Sequence, residues 1–195
     1  KDIFRTLVVS DYDKGFVMIN GKKVSNFDSK DRGIVNMQDV LSQSLNVGAA
    51  HVEMLLGNKK FSDYMYGYGI GEKTGIDLPN ETASLISYLN SPREIEYANA
   101  SFGQGVAFTP VQMIRALGAL ANGGKLVVPH VVKEIKYQDG TKRKIEYPTT
   151  PTKISPVTDE EITRMLVEVM DKSLKGGAAL LDHYSVAVKT GTAQV

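Results

Sequence analysis

The sequence predicts a mixed α/β domain of the α+β kind, and three observations carry that prediction. Apolar residues recur at helical spacing in three separate stretches, an Asp-Gly pair divides two β-prone runs, and a short β-prone run precedes the end of the chain. At 195 residues the chain is long enough for one substantial domain with a sizeable core.

The first helix is predicted from Met37, behind Asn36 as N-cap with Asp39 three residues on, and it carries Val40 and Leu41 as far as Ser44. Apolar spacing resumes through Ala50, Met54 and Leu55 before Gly57. The second helix opens at Thr109-Pro110, where threonine caps and proline suits the first helical position. Its apolar residues are Met113, Ile114, Leu117 and Leu120, and Asn122-Gly123-Gly124 stops it. The third starts at the capping box Thr158-x-x-Glu161 and presents Ile162, Met165, Leu166, Val169 and Met170 before Gly176-Gly177. Residues 131–137 and 142–147, joined through Asp139-Gly140, predict a β-hairpin. Residues 184–188 predict a strand that runs straight into Lys189, and residues 61–101 predict loops with short helical turns.

Composition narrows the function classes. A formal net charge of +1 leaves no electrostatic footprint for nucleic acid or an anionic membrane surface. No apolar run approaches the roughly 20 residues that span a bilayer. The chain has no cysteine, which excludes disulfides, thiol catalysis and thiolate metal sites. His51, His130 and His183 share no metal-ligand spacing, so no metal site is expected. The chain opens on Lys1 rather than methionine, which predicts a natural N-terminus further upstream.

Two short motifs can carry chemistry. Ser44-Leu45-Asn46 offers a proton-relaying hydroxyl and a carboxamide able to grip a peptide bond. Lys189-Thr190-Gly191-Thr192 offers a cation and two hydroxyls from one edge, suited to a substrate ending in a carboxylate. Gly191 between them lets a substrate backbone lie close. A second Lys-Thr-Gly, Lys73-Thr74-Gly75, sits in a glycine-rich loop with no strand before it, and its reading is a structural turn. Strand context selects Lys189 over Lys73.

The ordered pair Ser-x-Asn then Lys-Thr-Gly resembles penicillin-binding proteins and serine β-lactamases. Further stretches resemble the transpeptidase domain of the class B penicillin-binding proteins: Leu41 to Gly48, Lys73 to Pro79, Ser101-Phe102-Gly103-Gln104-Gly105, Thr109 to Gln112, Ala121 to Gly124, and Lys189 to Gln194. That resemblance implies the family's fold, an antiparallel sheet with flanking helices and a helical subdomain. It implies peptidoglycan D,D-transpeptidase activity through a serine acyl-enzyme, with stem peptides ending in D-alanyl-D-alanine as substrate and β-lactams as mimics. By the same match Ser44, Asn46 and Lys189 are catalytic, while Thr190, Gly191 and Thr192 bind substrate. The implied partners are the stem peptide, β-lactam antibiotics and cell-wall synthesis or division proteins, with no nucleic acid. The implied location is the outer face of a bacterial cell membrane.

The family's acyl-accepting serine stands in Ser-x-x-Lys, and no serine of this chain has lysine three positions on. Residues 1–195 are therefore expected to form a partial transpeptidase domain, lacking that upstream segment and the C-terminal strands and helix. Val188 also departs from the glycine frequent before the family's lysine. A β-lactam-sensing receptor domain, a serine β-lactamase and a degenerate interaction module would share these motifs.

Overall fold

The computed structural model describes residues 8–174, 181 and 183–191, with side chains from residue 12 onward. In chain order the elements are β1 (Val8–Asp13), β2 (Phe16–Ile19), β3 (Lys22–Ser25), β4 (Gly33–Asn36), α1 (Met37–Ser42), α2 (Asn46–Leu56) and α3 (Asn58–Gly67). A 3-10 turn (Ser87–Asn90), α4 (Glu94–Ser101), α5 (Pro110–Ala119), β5 (Lys125–Val127), β6 (Glu134–Lys136), β7 (Lys142–Lys144) and β8 (Thr149–Pro151) follow. Then come α6 (Pro156–Glu168) and a π-helical turn (Val169–Ser173). The class is mixed, as expected, but the described strands form four separate two-stranded antiparallel ladders rather than one broad sheet. The chain divides into two units, the first holding residues 1–62, 87–106 and 161–195, the second residues 63–86 and 107–160.

In the first unit, Asn20-Gly21 turns β2 into β3. Both residues have positive φ, 47° and 75°, as a type I′ hairpin turn requires, and Ile19 pairs with Lys22 across it. Ile19 and Val24 face inward and meet Ala50 of α2 and Ile95 and Ala98 of α4, with Val17 and Phe102 alongside. Apolar patterning alone does not bring this hairpin out, because each strand is four residues long. The Asn-Gly pair is the signal that finds it. β1 pairs antiparallel with β4, and Val35 of β4 joins Val40 and Leu45 in a second small core.

Asn36 caps α1 as predicted: its Oδ1 accepts from the Asp39 N–H at 2.9 Å, and Asp39 Oδ2 accepts from the Asn36 N–H at 3.3 Å. The helix then stops at Ser42, short of the predicted Ser44, and α2 begins at Asn46. α1 and α2 approach closely at Gly48, where a Cβ would lie 2.5 Å from Val40 Cγ2. α6 begins three residues earlier than the capping box suggested. Ser155, not Thr158, caps it, because Ser155 Oγ accepts from the Thr158 N–H at 3.2 Å.

The expected strand at 184–188 is not a strand. Its backbone runs against a helix instead, with the Val188 N–H donating to the Leu166 carbonyl at 3.1 Å, and no described strand offers it a ladder.

The second unit holds α5, capped by Thr109 with Pro110 at the first turn, as predicted; Gln112 completes a capping box that the expectation did not include. β5 pairs with β8 and buries Leu126. β6 and β7 form the predicted hairpin over fewer residues, with the Tyr137 N–H bonded to the Thr141 carbonyl and Gly140 at φ 84° in the loop. Residues 61–101 are more helical than expected, since α3 and α4 occupy part of that stretch. Lys73-Thr74-Gly75 is a loop, as predicted, closed by Glu81. No helix among the described residues is long and apolar enough to cross a membrane.

Candidate active site

The turn between α1 and α2 is built like a helix stop that normally ends on glycine. The Ser44 N–H donates to the Leu41 carbonyl at 3.2 Å and the Leu45 N–H to the Val40 carbonyl at 2.9 Å. Val40 and Leu45 then pack together, completing a Schellman motif. The residue that must be left-handed in this motif is Ser44, at φ 55°. A left-handed serine is strained by about 1 kcal/mol relative to glycine. Ser44→Gly is therefore expected to raise the stability of the fold by about 1 kcal/mol, read as a higher denaturant midpoint. An unchanged or lower midpoint would show that the turn holds serine without strain. The strain aims a hydroxyl out of the turn.

That hydroxyl meets Lys189. Lys189 Nζ donates to Ser44 Oγ at 2.7 Å, to the Thr190 carbonyl at 3.0 Å and more weakly to Thr190 Oγ1 at 3.4 Å. Loss of water around the ammonium lowers the Lys189 pKa below the ordinary lysine range. Asn46 opens α2, and its Nδ2 donates to the Ser25 carbonyl at 3.0 Å. Ser44, Asn46, Lys189, Thr190 and Gly191 all line one cleft of about 300 Å³. A Cβ at Gly191 would meet nothing within 4 Å among the described residues. Thr192 falls outside the described residues.

The structure thus brings five of the six predicted site residues together. Strand context did not achieve this, since residues 184–188 form no ladder; the Lys189–Ser44 contact did. Lys73 is not among the described residues that line the cleft. Phe27, Ser101, Phe102 and Gln104 line it as well and were not singled out as site residues. The last three fall in the Ser101–Gly105 stretch at the end of α4, where the Asn99 carbonyl accepts from the Phe102 and Gln104 N–H groups and folds the chain back. Chemically, a hydroxyl touching a lysine of lowered pKa can pass a proton. Beside it, a carboxamide and exposed threonine can hold the polar ends of a peptide.

Ser44 on Lys189, with Asn46, Thr190 and Gly191 in the same cleft, puts the Ser-x-Asn and Lys-Thr-Gly motifs side by side, the motif pair that resembles the penicillin-binding proteins. The chain belongs to the penicillin-binding protein transpeptidase domain family, whose model matches residues 9–195. Stage V sporulation protein D of Bacillus subtilis (strain 168) is 32% identical over 186 residues, 94% of this chain and 28% of that protein. A peptidoglycan D,D-transpeptidase FtsI homolog of Mesostigma viride is 29% identical over 211 residues, 94% of this chain and 34% of its own. The crystal structure of penicillin-binding protein 3 from Mycobacterium tuberculosis, complexed with aztreonam, matches with a TM-score of 0.77 and 26% identity. That match covers 86% of this chain and 37% of the other. The chain spans about a third or less of the length of these curated relatives.

Proposed function

We propose that this chain forms part of a serine D,D-transpeptidase that cross-links peptidoglycan and is acylated by β-lactams. The observation that carries the reading is the 2.7 Å hydrogen bond from Lys189 Nζ to Ser44 Oγ in a cleft shared with Asn46, Thr190 and Gly191. Family membership and the aztreonam bound by the M. tuberculosis relative support it.

In this reading a serine Oγ adds to the carbonyl carbon of the D-alanyl-D-alanine peptide bond. Its C–N bond then breaks, and D-alanine leaves after its nitrogen gains a proton. Ser44 relays that proton, and Lys189 orients the Ser44 hydroxyl and adds positive potential beside the substrate's carboxylate. Asn46 Oδ1 accepts from a substrate N–H, with the amide's direction fixed by the bond from Nδ2 to the Ser25 carbonyl. The Thr190 hydroxyl, with Thr192, binds the terminal carboxylate. An acceptor amine then attacks the ester carbonyl, forms the cross-link and returns the serine. The acylating serine is assigned to a segment outside these 195 residues, because no Ser-x-x-Lys occurs within them. The site faces the outside of a bacterial membrane, where stem peptides are found.

Labelling tests the proposal. A full-length protein carrying this domain is expected to take a fluorescent penicillin covalently and to convert D-alanyl-D-alanine stem peptides into cross-linked product. The 195-residue polypeptide alone is expected to form no adduct. A full-length protein that takes no label, or labels and then hydrolyses the drug without forming cross-links, would sink the transpeptidase reading. A covalent adduct on the isolated polypeptide would sink the placement of the nucleophile.

A further inference from the structure

Beneath the Ser44–Asn46 turn are two buried polar side chains that the proposed chemistry does not use. Asp13, at the end of β1, is 3% exposed, and Asn26, just after β3, is 1% exposed. Asn26 Nδ2 donates to both Asp13 carboxylate oxygens, at 3.1 and 2.8 Å, and the Gly15 N–H donates to Asp13 Oδ1 at 2.7 Å. On its other side, Asn26 Oδ1 accepts from the Val47 N–H at 3.1 Å. Val47 is the residue after Asn46, and Asn46 is itself tied to the neighbouring Ser25 carbonyl.

The polarity of this chain of bonds is forced. Both Asp13 carboxylate oxygens accept, Oδ1 from the Gly15 N–H as well, so the NH₂ of Asn26 faces Asp13. Its oxygen must then face Val47. Without the carboxylate only the Val47 N–H would favour that orientation, and a flipped amide would set an NH₂ against it. The first turn of α2 would lose an anchor directly behind Asn46, two residues from Ser44.

We propose that Asp13 and Asn26 are positioning residues: Asp13 fixes the direction of the Asn26 carboxamide, which pins Val47 and holds Ser44 and Asn46 in their places at the cleft. Neither touches substrate. The inference rests on the transpeptidase reading for what the turn does, and on the hydrogen bonds alone for how the turn is held.

The test is a charge-polarity swap in the full-length protein. Asp13→Asn leaves two amides facing each other, and one bond is lost whichever way they turn. Asn26→Asp sets two carboxylates together. The double variant Asp13→Asn/Asn26→Asp restores a donor–acceptor pair at each step from Gly15 through positions 13 and 26 to Val47, with one bond between 13 and 26 where wild type has two. The amide introduced at position 13 can accept from the Gly15 N–H and donate to the carboxylate introduced at position 26, which still accepts from the Val47 N–H.

Two readouts are taken for each protein: the acylation rate constant with fluorescent penicillin, separated from the pre-covalent affinity, and hydrogen exchange at the Val47 amide. Asp13→Asn is expected to slow acylation about tenfold, the rate equivalent of one lost buried hydrogen bond, with affinity nearly unchanged and the Val47 amide deprotected. The double variant is expected to recover both. Wild-type acylation by Asp13→Asn, or failure of the double variant to recover, would overturn the proposal. So would a loss that vanishes once rates are scaled to the folded fraction. If wild-type protein takes no label but Val47 exchange follows the swap, the network stands as the anchor of the turn and only the transpeptidase reading falls.

Discussion

Replacing Lys189 with alanine is expected to lower acylation of the full-length protein by penicillin more than about 10²-fold, the range seen when one preorganised donor is removed from a reacting centre. Lys73→Ala is expected to leave it within about twofold of wild type, as for most surface changes away from a site. The same dipeptide, Thr-Gly, follows both lysines, so the contrast depends on surroundings. Lys189 donates to Ser44 Oγ and to the Thr190 carbonyl within the cleft. Its removal takes the donor away from the Ser44 hydroxyl and a cation away from the expected carboxylate. Lys73 stands in a loop whose hydrogen bonds are made by its neighbours: the Thr74 hydroxyl and N–H and the Gly75 N–H all donate to Glu81. Burial opposes ionisation of Glu81, but those donors and the nearby Lys73 charge outweigh it and hold its carboxyl below the usual range. Labelling rates for both variants decide the matter. Equal losses would mean that the two copies had been assigned wrongly and that surroundings do not set them apart.

What could be read from the sequence was local. The Asn36/Asp39 and Thr109/Gln112 boxes are formed by residues three apart, so their bonds close within one helical turn. The same logic misplaced the start of α6, because Ser155 competes for the Thr158 N–H and a proline at position 156 begins the helix early. The break at Ser44 was hidden because the left-handed position of its Schellman motif carries serine where glycine would have announced a stop. The strand at 184–188 failed for a different reason. β-propensity describes a residue that fits a pleated, paired surface, and this segment pairs with a helix carbonyl. The Lys189–Ser44 contact joins residues 145 apart, so no spacing rule could have shown it. Only the order of motifs linked them. Asp13 and Asn26 were silent for the same reason, since a buried carboxamide and its carboxylate become a pair only after the β2–β3 hairpin forms.

Glu53 makes the second large prediction, and it concerns stability. It lies on α2 three residues after Ala50, on the face that meets Ile95 and Ala98 of α4. It is 2% exposed, and neither of its carboxylate oxygens has a hydrogen-bond partner among the described residues. Burial, and then the charge of Glu94, push its pKa from 4.5 to about 7. A raised carboxyl pKa means that the folded state holds the proton more tightly than the unfolded chain. Below about pH 4.5 both states are protonated and Glu53 carries no ionic penalty. As pH rises through about 7, the folded state must ionise a group with no donors around it, and the protein loses stability across that window. The loss amounts to about 3 kcal/mol by alkaline pH.

Glu53→Gln keeps the shape and removes the ionisation. The variant is expected to match wild type near pH 4.5 and to exceed it by about 3 kcal/mol at about pH 8, a rise of roughly 5–10 °C in Tm for a domain of this size. Urea titrations of both proteins at the two pH values measure the difference. A gap of the same size at both would mean that shape, not charge, sets the cost of Glu53. A gap that instead closed as pH rose would require a donor beside the carboxylate, contrary to its unpartnered oxygens. Glu94→Gln separates the two causes further. It removes the repulsion and leaves the burial, so it should recover the smaller part of the alkaline loss.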